Sequence, residues 1–232
     1  MTRTVRAAQW HIVKYQGNTP CHVAAKIQNP AIMELVLGKV KGAKIINLYN
    51  NKGFTPLLIS VENNFVEGTA LLIKYADINV ADKAHNYTAI SIAAKCGYLE
   101  ILKLLIEAKA NINEESAYEE SPLLLALQNE REECAVALLE AGASIDCIDE
   151  KGNSLLFYAA RLGYERVIEL LVASNRALSK LTDTTAVDRD YVNEQNNNWE
   201  RPLILAAKQN HLNIVKTLMG RNKKFVFCVL II

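Results

Sequence analysis

The sequence predicts an all-α array of stacked helical repeats, on three observations. Thr55-Pro56-Leu57, Thr88-Ala89-Ile90, Ser121-Pro122-Leu123 and Ser154-Leu155-Leu156 recur at steps of 33 residues. Behind each opening come a pair of small residues, a polar turn and a Leu-rich run. That run is apolar round most of its circumference, as in Leu99, Ile101, Leu102, Leu104, Leu105 and Ile106, which is too apolar for a helix packed on one side only. A period of this size marks units that cannot bury their apolar faces alone and must stack on their neighbours.

Residues 86–118 serve as the reference unit. Asn86-Tyr87-Thr88 opens it, and Ala89–Cys96 reads as a short helix with Ala93-Ala94 as its tightly packed face. Gly97-Tyr98 makes the turn, because Gly reaches the left-handed conformation that closes a helix. Leu99 to Lys109 is the second helix, and the Asn-rich link after it has turn chemistry. Aligned on this unit, the opening position holds Thr19, Thr55, Thr88, Ser121, Ser154 and Arg201, at intervals of 36, 33, 33, 33 and 47 residues. The small pairs follow at Ala24-Ala25, Ser60-Val61, Ala93-Ala94, Ala126-Leu127, Ala159-Ala160 and Ala206-Ala207.

These residues resemble the ankyrin repeat, in six copies of which several are degenerate. The carriers are Gly17-Asn18-Thr19-Pro20-Cys21-His22-Val23-Ala24-Ala25, Gly97-Tyr98 between helices, and Leu71-Leu72 followed by Ala76-Asp77-Ile78-Asn79. The resemblance implies a solenoid of helix–turn–helix units. It also implies β-hairpin fingers between them, which with the first helices would form a concave face. Expected divisions are a lead-in over 1–16, an array over 17–219 and an apolar tail over 220–232. The units of the array are 17–52, 53–85, 86–118, 119–151, 152–198 and 199–219.

The departures are local. The signature His survives only as His22, its place being taken by Leu58, Ser91, Leu124, Phe157 and Ile204. The Thr–His contact is then expected to be lost elsewhere, with packing in its stead. The second unit is one residue short before Ala76 and one long before Thr88. The fourteen extra residues of the fifth unit, within 174–198, read as an enlarged polar loop. The run Phe225 to Ile232 is apolar enough to be an aggregation hazard if exposed. Either it covers the last repeat, or the natural chain continues.

Composition is that of a soluble globular protein, 50% hydrophobic and 22% charged. A net charge of +1 supplies no field for nucleic acid or an anionic membrane. Met1 to Gln9 lacks the apolar core of a secretory signal, and eight apolar residues at the C-terminus cannot span a bilayer. Five cysteines at long spacings, with no C-x-x-C, argue for a reducing compartment. Of these, Cys21, Cys96 and Cys134 fall in helical stretches, where Cys is usually a small buried hydrophobe.

No catalytic or cofactor motif is legible. His11, His22, His85 and His211 fall in different units without ligand spacing, and no phosphate loop, dinucleotide fingerprint or zinc motif occurs. Asp183, Asp188, Asp190 and Glu194 lack the spacing and glycine of a calcium loop. The expectation is therefore a protein without enzyme activity, cofactor or metal.

Aromatic residues stand out instead. Phe54, Tyr87, Tyr118 and Trp199 fall in the fingers, and Phe65, Tyr98 and Tyr164 in the turns between helices, where Arg131 and His211 take the same place. Tyr, Trp and Arg dominate binding hot spots, and loops on a rigid scaffold carry binding residues. Glu114, Glu115, Glu119 and Glu120 crowd one finger, between basic residues near both ends. The resemblance also implies asparaginyl hydroxylation at Asn79 or Asn113, within the Ala-Asp-x-Asn type of turn.

The expected function is that of a monomeric cytoplasmic scaffold that binds a protein partner through its concave face and fingers, with neither nucleic acid nor membrane involved. One alternative is an ankyrin module of a larger protein whose effector domain is not in this chain. Another is a secreted microbial effector acting on a host protein in the host cytoplasm.

Overall fold

The computed structural model describes residues 16–40, 44–181 and 193–220, without the side chains of Lys44 and residues 176–181. The described residues fall into two compact units. Unit 1 runs to Ala93 and includes Tyr98–Tyr118; unit 2 comprises Ala94–Gly97 and the residues from Glu119 on.

Every regular element among the described residues is helical. The helices come in pairs. They are α1 (Pro20–Ile27) with α2 (Pro30–Val40), α3 (Pro56–Glu62) with α4 (Val66–Leu72), α5 (Ala89–Cys96) with α6 (Leu99–Glu107), α7 (Pro122–Gln128) with α8 (Glu132–Glu140), α9 (Leu155–Leu162) with α10 (Glu165–Leu181), and α11 (Pro202–Lys208) with α12 (Leu212–Gly220). A 3₁₀ turn, Lys44–Asn47, follows α2. The expected hairpin fingers are tight turns, with one isolated antiparallel bridge, Ile148 to Ser154, among the described residues.

Most first helices start alike. Thr19, Thr55, Ser121 and Ser154 are extended and buried before α1, α3, α7 and α9, while Arg201 is extended but only half-buried before α11. Pro stands at the first helical position in α1, α3, α7 and α11, where its missing N–H costs nothing. Within unit 1, α1 packs on α3, and α2 on α4 and α4 on α6. Within unit 2, α7, α9 and α11 stack in succession, as do α8, α10 and α12. The all-apolar second helices are explained by this arrangement, since Ile101, Leu102 and Leu105 are fully buried. So are Leu57, Leu58 and Leu72 in unit 1, and Leu123, Leu124, Leu155 and Leu156 in unit 2.

Every inter-helix turn passes through one left-handed residue: Gln28, Asn64, Gly97, Glu130, Gly163 and Asn210. Their spacing repeats that of the openings. At Gly97 and Gly163 a side chain from the next helix pair lies where a Cβ would stand, Arg131 and His211 respectively. The short second unit closes more tightly. Leu72 accepts from both Tyr75 N–H and Ala76 N–H (2.9 and 2.8 Å), and it lacks the left-handed residue found at Lys109 and Gly142.

Four expectations need correction. The stretch from Ser174, read as loop, is helical as far as Leu181, so the extra residues first lengthen α10. Residues 182–192, including Asp183, Asp188 and Asp190, lie outside the described residues, as do 1–15 and 221–232. Phe65 is core rather than surface, only 4% exposed, because its ring folds over Gly68 where a Cβ would otherwise stand. Cys96 is exposed, whereas Cys21 and Cys134 are buried and burial pushes both thiols up to about 11. Finally, the Thr–His contact is not simply lost. Ser91 takes the place of His and its hydroxyl bonds Thr88 Oγ1 at 2.9 Å.

Candidate interaction surface

The fingers are built from one short polar side chain each. Asn50, Ser116, Asp149 and Asn196 stand five residues before the opening position, and Asp82 six before it. Asn50 Oδ1 accepts from Lys52 N–H and Phe54 N–H, each at 3.0 Å. Asp82 accepts from Ala84 and His85 N–H on one oxygen and Tyr87 N–H on the other, all at 2.8 Å. The third bond accommodates the extra residue of that link. Asn196 Oδ1 accepts from Asn198 N–H and Glu200 N–H (3.0 and 2.9 Å). Side chains that satisfy nearby backbone donors fix a turn without a strand. Successive finger tips are also tied backbone to backbone: Asn51 N–H to Gln16 O, Lys83 N–H to Gly53 O and Ala117 N–H to His85 O in unit 1, and Asn197 N–H to Lys151 O in unit 2.

Two residues before each opening the backbone turns left-handed, at Gly17, Gly53, Asn86, Glu119, Gly152 and Trp199. Gly and Asn take this conformation at little cost; a bulky aromatic does not. Trp199 nevertheless adopts φ +61° with 78% of its surface exposed.

The other anticipated residues divide into two sets. In unit 1, His85 stacks on Tyr87 (5.6 Å between ring centroids) and lies 6.1 Å from Tyr118, which is 57% exposed. These rings form one aromatic cluster across two fingers. Phe54 is half-buried, and its carbonyl accepts from Asn50 N–H and lies 2.9 Å from His22 Nε2. The turn residues are pinned. Tyr98 and Tyr164 are half-buried at the starts of α6 and α10, with N–H groups bonded to Ala93 O and Ala159 O. Burial raises the Tyr164 pKa, helped by the Glu132 and Glu130 charges. Arg131 Nε reaches Lys95 O at 3.5 Å, and His211 Nε2 lies 3.1 Å from Arg161 O.

Asn79 and Asn113 are both exposed. The Asn79 Oδ1 accepts from Asn111 N–H at 2.9 Å, and Asn79 and Asn113 donate their own N–H groups to Asp77 and Asn111 Oδ1 at 3.1 Å.

Sequence reasoning missed the polar arrangement at α9. Tyr158 donates its hydroxyl to Asp149 Oδ2 at 2.7 Å, and the Arg161 guanidinium lies 5.1 Å from the Tyr158 ring centroid. Both border an open cleft of about 230 Å³ beside the fingers at 149–153 and 196–200. The available signal was Tyr158 itself, at a place where the other units carry Val23, Ile59, Ile92, Leu125 and Leu205. No group of three metal-ligating side chains occurs among the described residues, and no described helix is long and apolar enough to cross a membrane.

A family model described as ankyrin repeats (3 copies) matches residues 4–82, 22–116, 90–183 and 145–226. Among similar proteins is the ankyrin repeat and KH domain-containing protein mask-1 of Caenorhabditis elegans, 29% identical over 90% of this chain and 7% of its own length. The B-cell lymphoma 3 protein homolog of Mus musculus is 29% identical over 69% of this chain and 37% of its own. Mouse ankyrin repeat and SOCS box protein 6 is 30% identical over 54% of this chain and 31% of its own. The chain thus spans well under half the length of each. A relative from Candida albicans, 29% identical over 70% of this chain, carries the name of an enzyme, glycerophosphocholine phosphodiesterase GDE1, of which the chain spans 14%.

Proposed function

The chain belongs to the ankyrin repeat family, and from that premise we propose that it binds a protein partner through its finger tips and catalyses nothing itself. Ankyrin repeats are generic protein-interaction modules. The finer reading assigns the contact to Tyr87 and Tyr118 in unit 1 and to Trp199 in unit 2, with the chain acting as a cytoplasmic monomer. The observation that carries it is Trp199. A large apolar ring is kept in water on a backbone conformation that opposes it, at a place where Gly17, Gly53 and Gly152 show the unstrained solution. Strain held at an exposed position is a mark of function rather than of packing. Because the chain spans only part of its relatives, a module within a larger protein stands as the second reading.

The test is capture of partner from cell lysate, read by mass spectrometry. Trp199→Gly should lose most of the captured partner and yet melt no lower than the parent. It relieves roughly 1 kcal/mol of backbone cost, offset in part by the greater freedom of Gly in the unfolded chain. The triple variant Phe54→Ala, Tyr87→Ala, Trp199→Ala should abolish capture with an unchanged helical circular dichroism signal. Full capture by the triple variant would place binding elsewhere. For the hydroxylation reading, mass spectrometry of the protein from cells should show a 16-dalton increment on the Asn79 or Asn113 peptide.

A further inference from the structure

We infer that the cleft at α9 in unit 2 receives a single carboxylate side chain from an acidic segment of a protein partner. This rests on the protein-binding reading above and names the chemistry at one of its contacts.

Phe157, Tyr158 and Leu205 line the cleft, together with Lys151 and Arg161 and residues of the fingers on either side. Its acids are already engaged. Asp149 accepts from Lys151 N–H and Asn153 N–H at 2.8 Å, from Asn153 Nδ2 at 2.9 Å and from the Tyr158 hydroxyl at 2.7 Å. Burial pushes the Asp149 pKa up, but these bonds outweigh it and hold the carboxyl below its usual value. Glu200 is bonded by Lys208 Nζ at 3.0 Å and by Asn196 Nδ2 at 3.2 Å.

The cations are unequally used. Lys208 is paired with Glu200, while neither Arg161 nor Lys151 has an ion pair among the described residues. Both are exposed. The Arg161 guanidinium lies over the Tyr158 ring, a contact that places it at the cleft without consuming its N–H donors. Tyr158 is held in turn by Asp149, so the guanidinium is positioned from below by a satisfied network. Of the charged residues that line the cleft, Lys151 and Arg161 stand against Glu200, which leaves one positive charge. A planar two-oxygen anion of charge −1 matches that charge and the forked donor of Arg. A phosphate dianion exceeds it. The substitution of Tyr for the aliphatic residue of the other units is what builds this arrangement.

The test is a titration of the full ¹⁵N-labelled chain with an acetylated, amidated tetraglutamate peptide, and with its tetraglutamine counterpart. Tetraglutamate should give saturable amide shifts centred on Lys151, Asn153, Tyr158 and Arg161, and tetraglutamine none. Arg161→Gln should weaken binding about threefold or more, and Lys151→Gln should weaken it further in combination. Both residues are exposed, so melting temperatures should stay at the parent value. Equal binding of both peptides, an undiminished double variant, or shifts scattered over other lysines would each overturn the assignment. So would inorganic phosphate displacing the peptide at lower concentration than acetate does. Failure of the finger reading is seen separately. If the finger variants capture partner undiminished while the titration behaves as stated, the fingers are wrong and the cleft stands.

Discussion

At the scale of single residues, the opening position of each repeat solves one problem in different ways. Thr55 Oγ1 accepts Leu58 N–H at 3.4 Å and Ser121 Oγ accepts Leu124 N–H at 3.2 Å. Ser154 is buried, and its hydroxyl has no partner among the described residues. Thr55→Ala and Ser121→Ala should therefore each lower stability by about 1 kcal/mol in urea unfolding, while Ser154→Ala should be neutral or stabilising, since it removes an unsatisfied group. A comparable loss at Ser154 would contradict the geometry. His22 makes a second prediction. Its Nδ1 accepts Thr19 N–H at 3.0 Å and lies 2.7 Å from Thr19 Oγ1. Burial lowers its pKa, against the carbonyls of Phe54 and Leu48, which raise it. A lowered folded value means that the unfolded chain binds the proton more readily. The stabilisation is complete above about pH 6.5 and is withdrawn as pH falls towards the folded value. Thermal melts should show the midpoint dropping over that interval, and His22→Asn should flatten the drop. The Thr–His–Phe54 link was half legible. The His of the signature announced the local bond, but its reach to the Phe54 carbonyl of the next finger depends on how successive repeats stack.

At the scale of elements, the fingers hold their shape through side chains rather than strands. Asn196 carries four side-chain bonds, accepting two from the backbone and donating to Asn153 Oδ1 at 2.9 Å and Glu200 Oε2 at 3.2 Å. Asn196→Ala should cost roughly 1–3 kcal/mol, against less than about 0.5 kcal/mol for exposed Asn198→Ala, measured by denaturant midpoint. The helices were legible from period and apolar pattern, because stacking demands both. The length of α10 was not. Ser174, Asn175 and Ser179 read as loop chemistry, yet Arg176, Ala177, Leu178 and Lys180 between them are strong helix formers. Phe65 was misplaced because the decisive signal lay three residues on, in the missing side chain of Gly68. Tyr158 was not legible as a polar site because an aromatic at an inner helix position reads as core, and its hydroxyl partner Asp149 lies nine residues away in a finger.

At the scale of the whole chain, the repeat identifies the family and the helical class outright, and what sets this chain apart from a regular array lies in the breaks. Those breaks fall at particular residues: the ring of Trp199 where Gly would suffice, the hydroxyl of Tyr158 where an alkyl group would, the trio His85, Tyr87 and Tyr118 on adjacent fingers. None perturbs the buried leucines, so surface chemistry and scaffold are separable in this fold. The notches at Gly97 and Gly163 carry a different consequence. Arg131 and His211 occupy the space of the absent side chains there, so each notch and its filler belong to successive repeats as a matched key. The repeats that meet at these two turns are therefore not interchangeable parts. A transplanted copy would bring a filler to a turn that already has a Cβ, or leave a notch empty, so at these two junctions the order of the repeats is written into the packing.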